Sequence, residues 1–128
     1  MNEKNILVVD DEIDILKVYT DILKKAGYTV RSAESGEEAL KILQKENIQA
    51  MFLDLNMPGM SGIELCRKIR KDKPISYIIA ITGYTSIFEL AECREAGFDD
   101  YFPKPIRVER LLKAADDAFE KLERWKKQ

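Results

Sequence analysis

Ile6-Leu7-Val8-Val9-Asp10-Asp11 is the stretch on which the fold turns. A run rich in β-branched residues, with no polar alternation, reads as a strand buried on both faces. It stops abruptly at two carboxylates. Later runs repeat the device: Ala50-Met51-Phe52-Leu53 ends in Asp54, Tyr77-Ile78-Ile79-Ala80-Ile81 ends in Thr82-Gly83, and a short strand around Tyr101-Phe102 ends in Pro103-Lys104-Pro105. The remaining strand spans about Thr29 to Ala33.

Between these runs the period changes to that of a helix. Ile13, Leu16, Tyr19, Thr20, Leu23 and Ala26 recur at i, i+3, i+4 and i+7, and Gly27 stands where a C-cap glycine stops a helix. Ser35-Gly36-Glu37-Glu38 has the spacing of a capping box, opening a helix whose stripe is Ala39, Leu40, Ile42 and Leu43. Helices are predicted over about Ile63 to Lys71 and Ile87 to Ala96, with Gly97 as a stop, and from Arg107 almost to the C-terminus. Five strands alternating with five helices predict an α/β, doubly wound parallel sheet with helices on both faces. Ligands of such sheets bind beyond the carboxyl ends of the strands, where strand order reverses. Asp10, Asp11, Asp54, Thr82 and Lys104 all stand at those ends.

The chain has 128 residues, suited to one domain, with 45% hydrophobic and 34% charged residues, which excludes disorder. A net charge of −2 gives no bulk reason to bind nucleic acid or an anionic membrane. There is no histidine, which removes Ser/His/Asp and Cys/His catalysis, His-ligated zinc and any phosphorylation of the chain's own histidine. Cys66 and Cys93 lack metal-site spacing and read as small apolar helix residues. The longest apolar run, Tyr77 to Ile81, falls far short of the roughly 18 residues of a membrane span, so the expected location is the cytoplasm, away from membranes.

Three carboxylates converging on one sheet edge repel one another, and a hard divalent cation relieves the conflict. With Lys104 the site then comes close to neutrality. Such a site suits phosphoryl transfer, which depends mostly on positioning and charge neutralisation. Asp54, alone at its strand end before a Pro/Gly loop, is the candidate nucleophile for an aspartyl phosphate. Asp10 and Asp11 suit metal ligation, and Thr82 and Lys104 suit phosphoryl oxygens.

Asp10-Asp11, Asp54-Leu55-Asn56-Met57-Pro58-Gly59-Met60-Ser61-Gly62, Thr82-Gly83 and Lys104-Pro105, in this order and spacing, resemble the signature of the response-regulator receiver domains of two-component signalling. The resemblance covers about Asn5 to Arg124. It implies a flavodoxin-like (βα)5 fold with strand order 2-1-3-4-5, and a phosphoryl group accepted on Asp54 from a histidine kinase or histidine phosphotransfer protein. It implies Mg²⁺, with Mn²⁺ as a substitute, bound by Asp11, Asp54 and the backbone carbonyl of Asn56, with Asp10 acting through water. Thr82 and Lys104 would hold the phosphoryl oxygens, the Lys104-Pro105 bond would be cis, and Tyr101 would be an aromatic switch coupled to Thr82. Asn56 and Tyr84 would flank the path of a hydrolytic water, a bulky Tyr84 slowing dephosphorylation. The implied partners are a downstream protein or a fused output domain, and a phosphorylation-dependent homodimer through the last two helices, with no nucleic acid bound directly. The implied domain is 1–128. Two other readings remain open: a Mg²⁺-dependent phosphohydrolase working through an aspartyl phosphate, and a phosphate-independent binding module.

The last helix carries a continuous stripe from Val108 through Leu111, Leu112, Ala115, Ala118, Phe119 and Leu122 to Trp125. Its i, i+4 acid-before-base pairs are Asp117 to Lys121, Glu120 to Arg124 and Glu123 to Lys127. From about residue 120 it either extends past the core, with Leu122 and Trp125 facing a partner, or folds back on its own domain.

Overall fold

The computed structural model describes residues 4–83 and 86–126. The elements alternate strictly: β1 Asn5–Val9, α1 Ile13–Lys25, β2 Thr29–Ala33, α2 Gly36–Lys45, β3 Ala50–Asp54, α3 Gly62–Asp72, β4 Tyr77–Thr82, α4 Ile87–Ala96, β5 Asp100–Pro103 and α5 Val108–Lys126. All strand pairs are parallel, in the order β2-β1-β3-β4-β5. This is the flavodoxin-like (βα)5 arrangement that the resemblance implies. The chain leaves β1 outward to β2 and then crosses back to β3, so the order reverses between β1 and β3. Asp10 follows the first of these strands and Asp54 ends the second.

The apolar runs are buried on both faces because alternate residues of a strand point to opposite sides. Ile6, Val8, Phe52 and Ile79 join Leu16 and Leu23 of α1 and Leu111, Ala115 and Ala118 of α5. Leu7, Val9, Met51, Leu53 and Ile78 pack instead with Ala39 and Leu43 of α2 and Leu65 and Ile69 of α3. Each strand is thus shared between two cores. That sharing fixes its register, since a one-residue slip would exchange the two faces.

The helix starts follow capping chemistry. Ser35 Oγ accepts from Glu38 N–H at 3.2 Å. The return bond of the expected box lands one residue earlier than that motif places it, with Glu38 Oε1 accepting from Glu34 N–H at 3.0 Å. Ser61 and Ser86 cap α3 and α4 in the same way, each accepting from the amide three residues on. Gly27 and Gly97 follow α1 and α4 with φ of +101° and +106°, the left-handed region in which a Cβ is penalised.

Two expectations about α5 change. Leu122 is part of the core, 5% exposed, whereas Trp125 is 63% exposed. Asp117 pairs with Lys113 at 3.3 Å, while Lys121 turns away to donate to the Tyr77 hydroxyl at 3.0 Å and lies 5.1 Å from that ring's centre. Local i, i+4 attraction is only a few tenths of a kcal/mol, so a half-buried hydroxyl and an aromatic face compete with it successfully. Lys127 lies outside the described residues.

Candidate functional site: an acidic pocket at the strand ends

The pocket is built on β1, β3, β4 and the turn after β5. The Asp10 amide donates to Ala33 O at 3.1 Å, extending the β1–β2 ladder one residue beyond the strand and fixing Asp10 at the sheet edge. Asp10 Oδ1 then accepts from Glu12 N–H at 2.9 Å, which holds the start of α1. Asp54 closes β3 opposite Ile81. Lys104 N–H donates to Thr82 O at 2.8 Å, tying the β5 turn to the end of β4, and the Lys104–Pro105 peptide bond is cis.

These constraints bring the side chains together. Lys104 Nζ lies 2.8 Å from Asp10 Oδ2, 3.5 Å from Asp54 Oδ2 and 3.4 Å from Glu12 Oε1. Asp10, Asp54 and Thr82 are all buried. Asn56 N–H donates to Asp54 Oδ1 at 3.4 Å, and Asn56 Nδ2 donates to Thr82 Oγ1 at 3.1 Å. The loop from β3 to α3 can fold back this tightly because residue 62 has no side chain. Gly62 N–H donates to Leu55 O at 2.9 Å, and a Cβ there would stand 2.1 Å from Asp54 O.

Electrostatically the pocket is short of positive charge. Burial and the neighbouring Asp10 carboxylate push Asp54 up to about 7, against the opposing pull of Lys104 and the Asn56 amide. Burial works against the charged form of Lys104, but the hydrogen bond to Asp10 and the field of Asp54 outweigh it and raise its pKa. One ammonium therefore serves three carboxylates, two of them buried, and leaves negative charge at the sheet edge. Oxygens of Asp10, Glu12 and Asp54 lie within 4.8 Å of one another, the all-oxygen donor set that a hard cation such as Mg²⁺ takes.

Glu12 is the site residue that the sequence reading passed over. Its signal was present, an acid two positions after Asp10, but the N-terminus of a helix attracts acids for dipole reasons alone. Asp11 is half-buried and stands outside that trio, acting on Asp54 through its charge, which raises the Asp54 pKa further. Tyr101 is half-buried against the cluster of Leu55, Ala80 and Cys93. Its hydroxyl is buried with no hydrogen-bond partner among the described residues. Tyr84 lies outside the described residues. Cys66 and Cys93 are free and buried, their thiols pushed up to about 12 and about 11 by burial, as befits inert apolar packing.

A buried strand-end carboxylate beside a lysine, a threonine and further acids, on a 2-1-3-4-5 sheet, defines a class of protein. Residues 6–116 match the family described as the response regulator receiver domain. The chain belongs to this family. Response regulator MprA of Mycobacterium ulcerans is 38% identical over 107 residues, covering 84% of this chain and 46% of that protein. Transcriptional regulatory protein ResD of Bacillus subtilis is 40% identical over 121 residues, covering 89% of this chain and 50% of that protein. The chain thus spans about half the length of these relatives. Among solved structures, a CheY-like response regulator receiver domain protein from Methanospirillum hungatei superposes with a TM-score of 0.93 at 32% identity, covering 96% of this chain and 98% of that one. Vibrio cholerae chemotaxis protein CheY4 superposes with a TM-score of 0.87 at 32% identity, covering 91% and 99%. The chain is a signalling domain of two-component systems, and none of its described helices is long and apolar enough to cross a membrane.

Proposed function

We propose that Asp54 is the phosphoacceptor, that the pocket takes the phosphoryl group from a phosphohistidine of a histidine kinase or histidine phosphotransfer protein, and that the chain passes the change on as an altered surface. The observation that carries the assignment is the position of Asp54: buried at the end of β3, with Oδ2 within 3.5 Å of Lys104 Nζ and Oδ1 held by the Asn56 amide. In the transfer an Asp54 carboxylate oxygen forms the new P–O bond. The P–N bond of the donor breaks, and the electron pair and a proton end on the departing imidazole. Lys104 neutralises one phosphoryl oxygen and Thr82 donates to another, the preorganised stabilisation that phosphoryl transfer depends on.

Asp11, Asp54 and the Asn56 backbone carbonyl would hold Mg²⁺, or Mn²⁺ in its place, with Asp10 acting through water and Glu12 adding to the negative field. Bound there, the cation supplies neutralisation of the phosphoryl oxygens and of the surplus carboxylate charge. Addition of the phosphoryl group brings acceptor oxygens and negative charge to a pocket where Asn56 Nδ2 holds Thr82 Oγ1. Thr82 exchanges that bond for the phosphoryl oxygen, and Tyr101 follows into the space Thr82 leaves. The readout is contact with a downstream protein or a fused output domain, or a homodimer through α4 and α5. We assign residues 1–128 to one receiver domain, acting in the cytoplasm as a phosphoacceptor rather than as an enzyme with external substrates.

Beryllium fluoride with Mg²⁺ tests this assignment as a phosphoryl mimic. Amide resonances of Thr82, Tyr101 and Lys104 are expected to shift together on titration, and none is expected to move in Asp54→Ala. Equal shifts in that variant would place the acceptor elsewhere.

A further inference from the structure

At the opposite end of the sheet, beyond the start of β4, a groove of about 540 Å³ runs between the β4 lead-in and the last turns of α5. The phosphoacceptor machinery has no part in it, since roughly 17 Å of strand separates Tyr77 from Thr82. Its walls include Ile75, Ser76, Tyr77, Lys121, Arg124 and Trp125. Ile75 and Trp125 are 46% and 63% exposed, which leaves an aliphatic and an indole surface in water on the walls of one groove. The Ser76 hydroxyl is buried and has no hydrogen-bond partner among the described residues, although Ser76 as a whole is only 6% exposed.

The charge on this groove is sorted. Lys121 and Arg124 of α5 line it, whereas Glu120 and Glu123 of the same helix do not. A cation at the end of a helix has an ordinary explanation in the macrodipole, and that covers Arg124, which is in the last turn of α5, but not Lys121. The one acid in the wall, Asp99, is already spoken for: its carboxylate accepts from Arg70 at 2.9 Å and from the Ile78 amide at 2.8 Å. Arg70 is likewise saturated, donating to the carbonyls of Pro74, Ser76 and Gly97. Arg124 is exposed, and Lys121 spends one of its three ammonium donors on the Tyr77 hydroxyl at 3.0 Å, so an incoming acceptor can still meet both cations beside an exposed indole. Trp, Tyr and Arg are the residue types that dominate interface energetics.

We propose that this groove docks an acidic segment of a partner protein, with an aliphatic or aromatic side chain of that segment packed on Trp125 and Ile75 and its carboxylates paired with Lys121 and Arg124. A peptide is favoured over nucleic acid because the exposed Ile75 and Trp125 give the groove an apolar side that is poorly matched to a run of phosphates. The contact is independent of the Asp54 assignment.

The test is a nitrogen-15 NMR titration of the whole chain, whose one tryptophan is Trp125. The probes are a blocked peptide of Asp, Glu, Leu and Phe, its counterpart with Lys for each acid, and a short DNA duplex. The acidic peptide is expected to move the Trp125 indole signal and the Ile75 to Tyr77 amides with half-saturation at about 1 mM or below. Affinity should fall with added salt and drop about tenfold in Lys121→Glu with Arg124→Glu. Because Lys121 also bonds Tyr77, Arg124→Glu alone is measured beside it and should weaken binding severalfold with the core amide signals unmoved. Asp54→Ala should bind as the parent does. An indole signal that stays still, an equal response to the basic peptide, a stronger response to DNA, or affinity unaffected by salt would each overturn the proposal.

Discussion

Replacing Asp54 with Asn should make the metal-free protein more stable, although it removes the residue on which the function rests. In the fold the Asp54 carboxyl is raised from 3.8 to about 7, first by burial and then by Asp10. A carboxylate raised in this way holds its proton in the folded state when the unfolded chain has already released it. Stability therefore falls as pH rises from about 4 to about 7, and stays at its lower level above that. Three pKa units at about 1.4 kcal/mol each set a ceiling of about 4 kcal/mol on the penalty above pH 7. Water entering beside the exposed Glu12 screens part of this, so a gain of about 2 kcal/mol is the working expectation for Asp54→Asn at pH 8. Urea unfolding of both proteins in chelator across pH 4 to 8 measures it, because the difference between the two curves cancels the titrating groups that lie far from Asp54. The gap should open with pH and level off near 7. Mg²⁺ should then close it, since a ligand at 100 times its Kd adds about 2.7 kcal/mol to the state that binds it. A variant no more stable than the parent at pH 8, or a gap that ignores pH, would refute the reasoning.

Other substitutions probe the framework. Gly62→Ala would place a Cβ 2.1 Å from Asp54 O and 2.8 Å from Leu55 Cα, so thermal unfolding should show a loss of about 3 kcal/mol, with a cost below about 0.5 kcal/mol contradicting the close approach. Arg70→Ala strips the donors from the Pro74, Ser76 and Gly97 carbonyls and from Asp99, and should cost about 3 kcal/mol by urea unfolding. Tyr101→Phe removes a buried hydroxyl that has no hydrogen-bond partner among the described residues, and should be neutral or stabilising by up to about 1 kcal/mol in the same assay.

The fold and the pocket were legible to different depths. Runs such as Ile6 to Val9 announce strands buried on both faces, and Asp54, Thr82 and Lys104 stand out because each interrupts an apolar run where a parallel sheet opens to ligands. Glu12 was hidden by its position, since an acid at a helix start needs no pocket to explain it. The Arg70 clamp was hidden for another reason. Its partners at 74, 76, 97 and 99 meet it only after α3, β4 and α4 have packed, and no local spacing encodes that. Lys121 shows the limit of helix rules: its i−4 acid is present, yet the Tyr77 hydroxyl, 44 positions away, takes the ammonium. Burial likewise separates Leu122 from Trp125, which a single apolar stripe had joined.

The central claim, that Asp54 alone carries the phosphoryl group, is tested most directly by incubating the chain with a small acyl phosphate or phosphoramidate and Mg²⁺ and locating the adduct by intact and peptide mass spectrometry. One phosphoryl group per chain, on Asp54, absent without the divalent cation and absent from Asp54→Ala, is the result predicted. An adduct that persists in Asp54→Ala, or steady release of phosphate over many turnovers without an accumulating adduct, would contradict it.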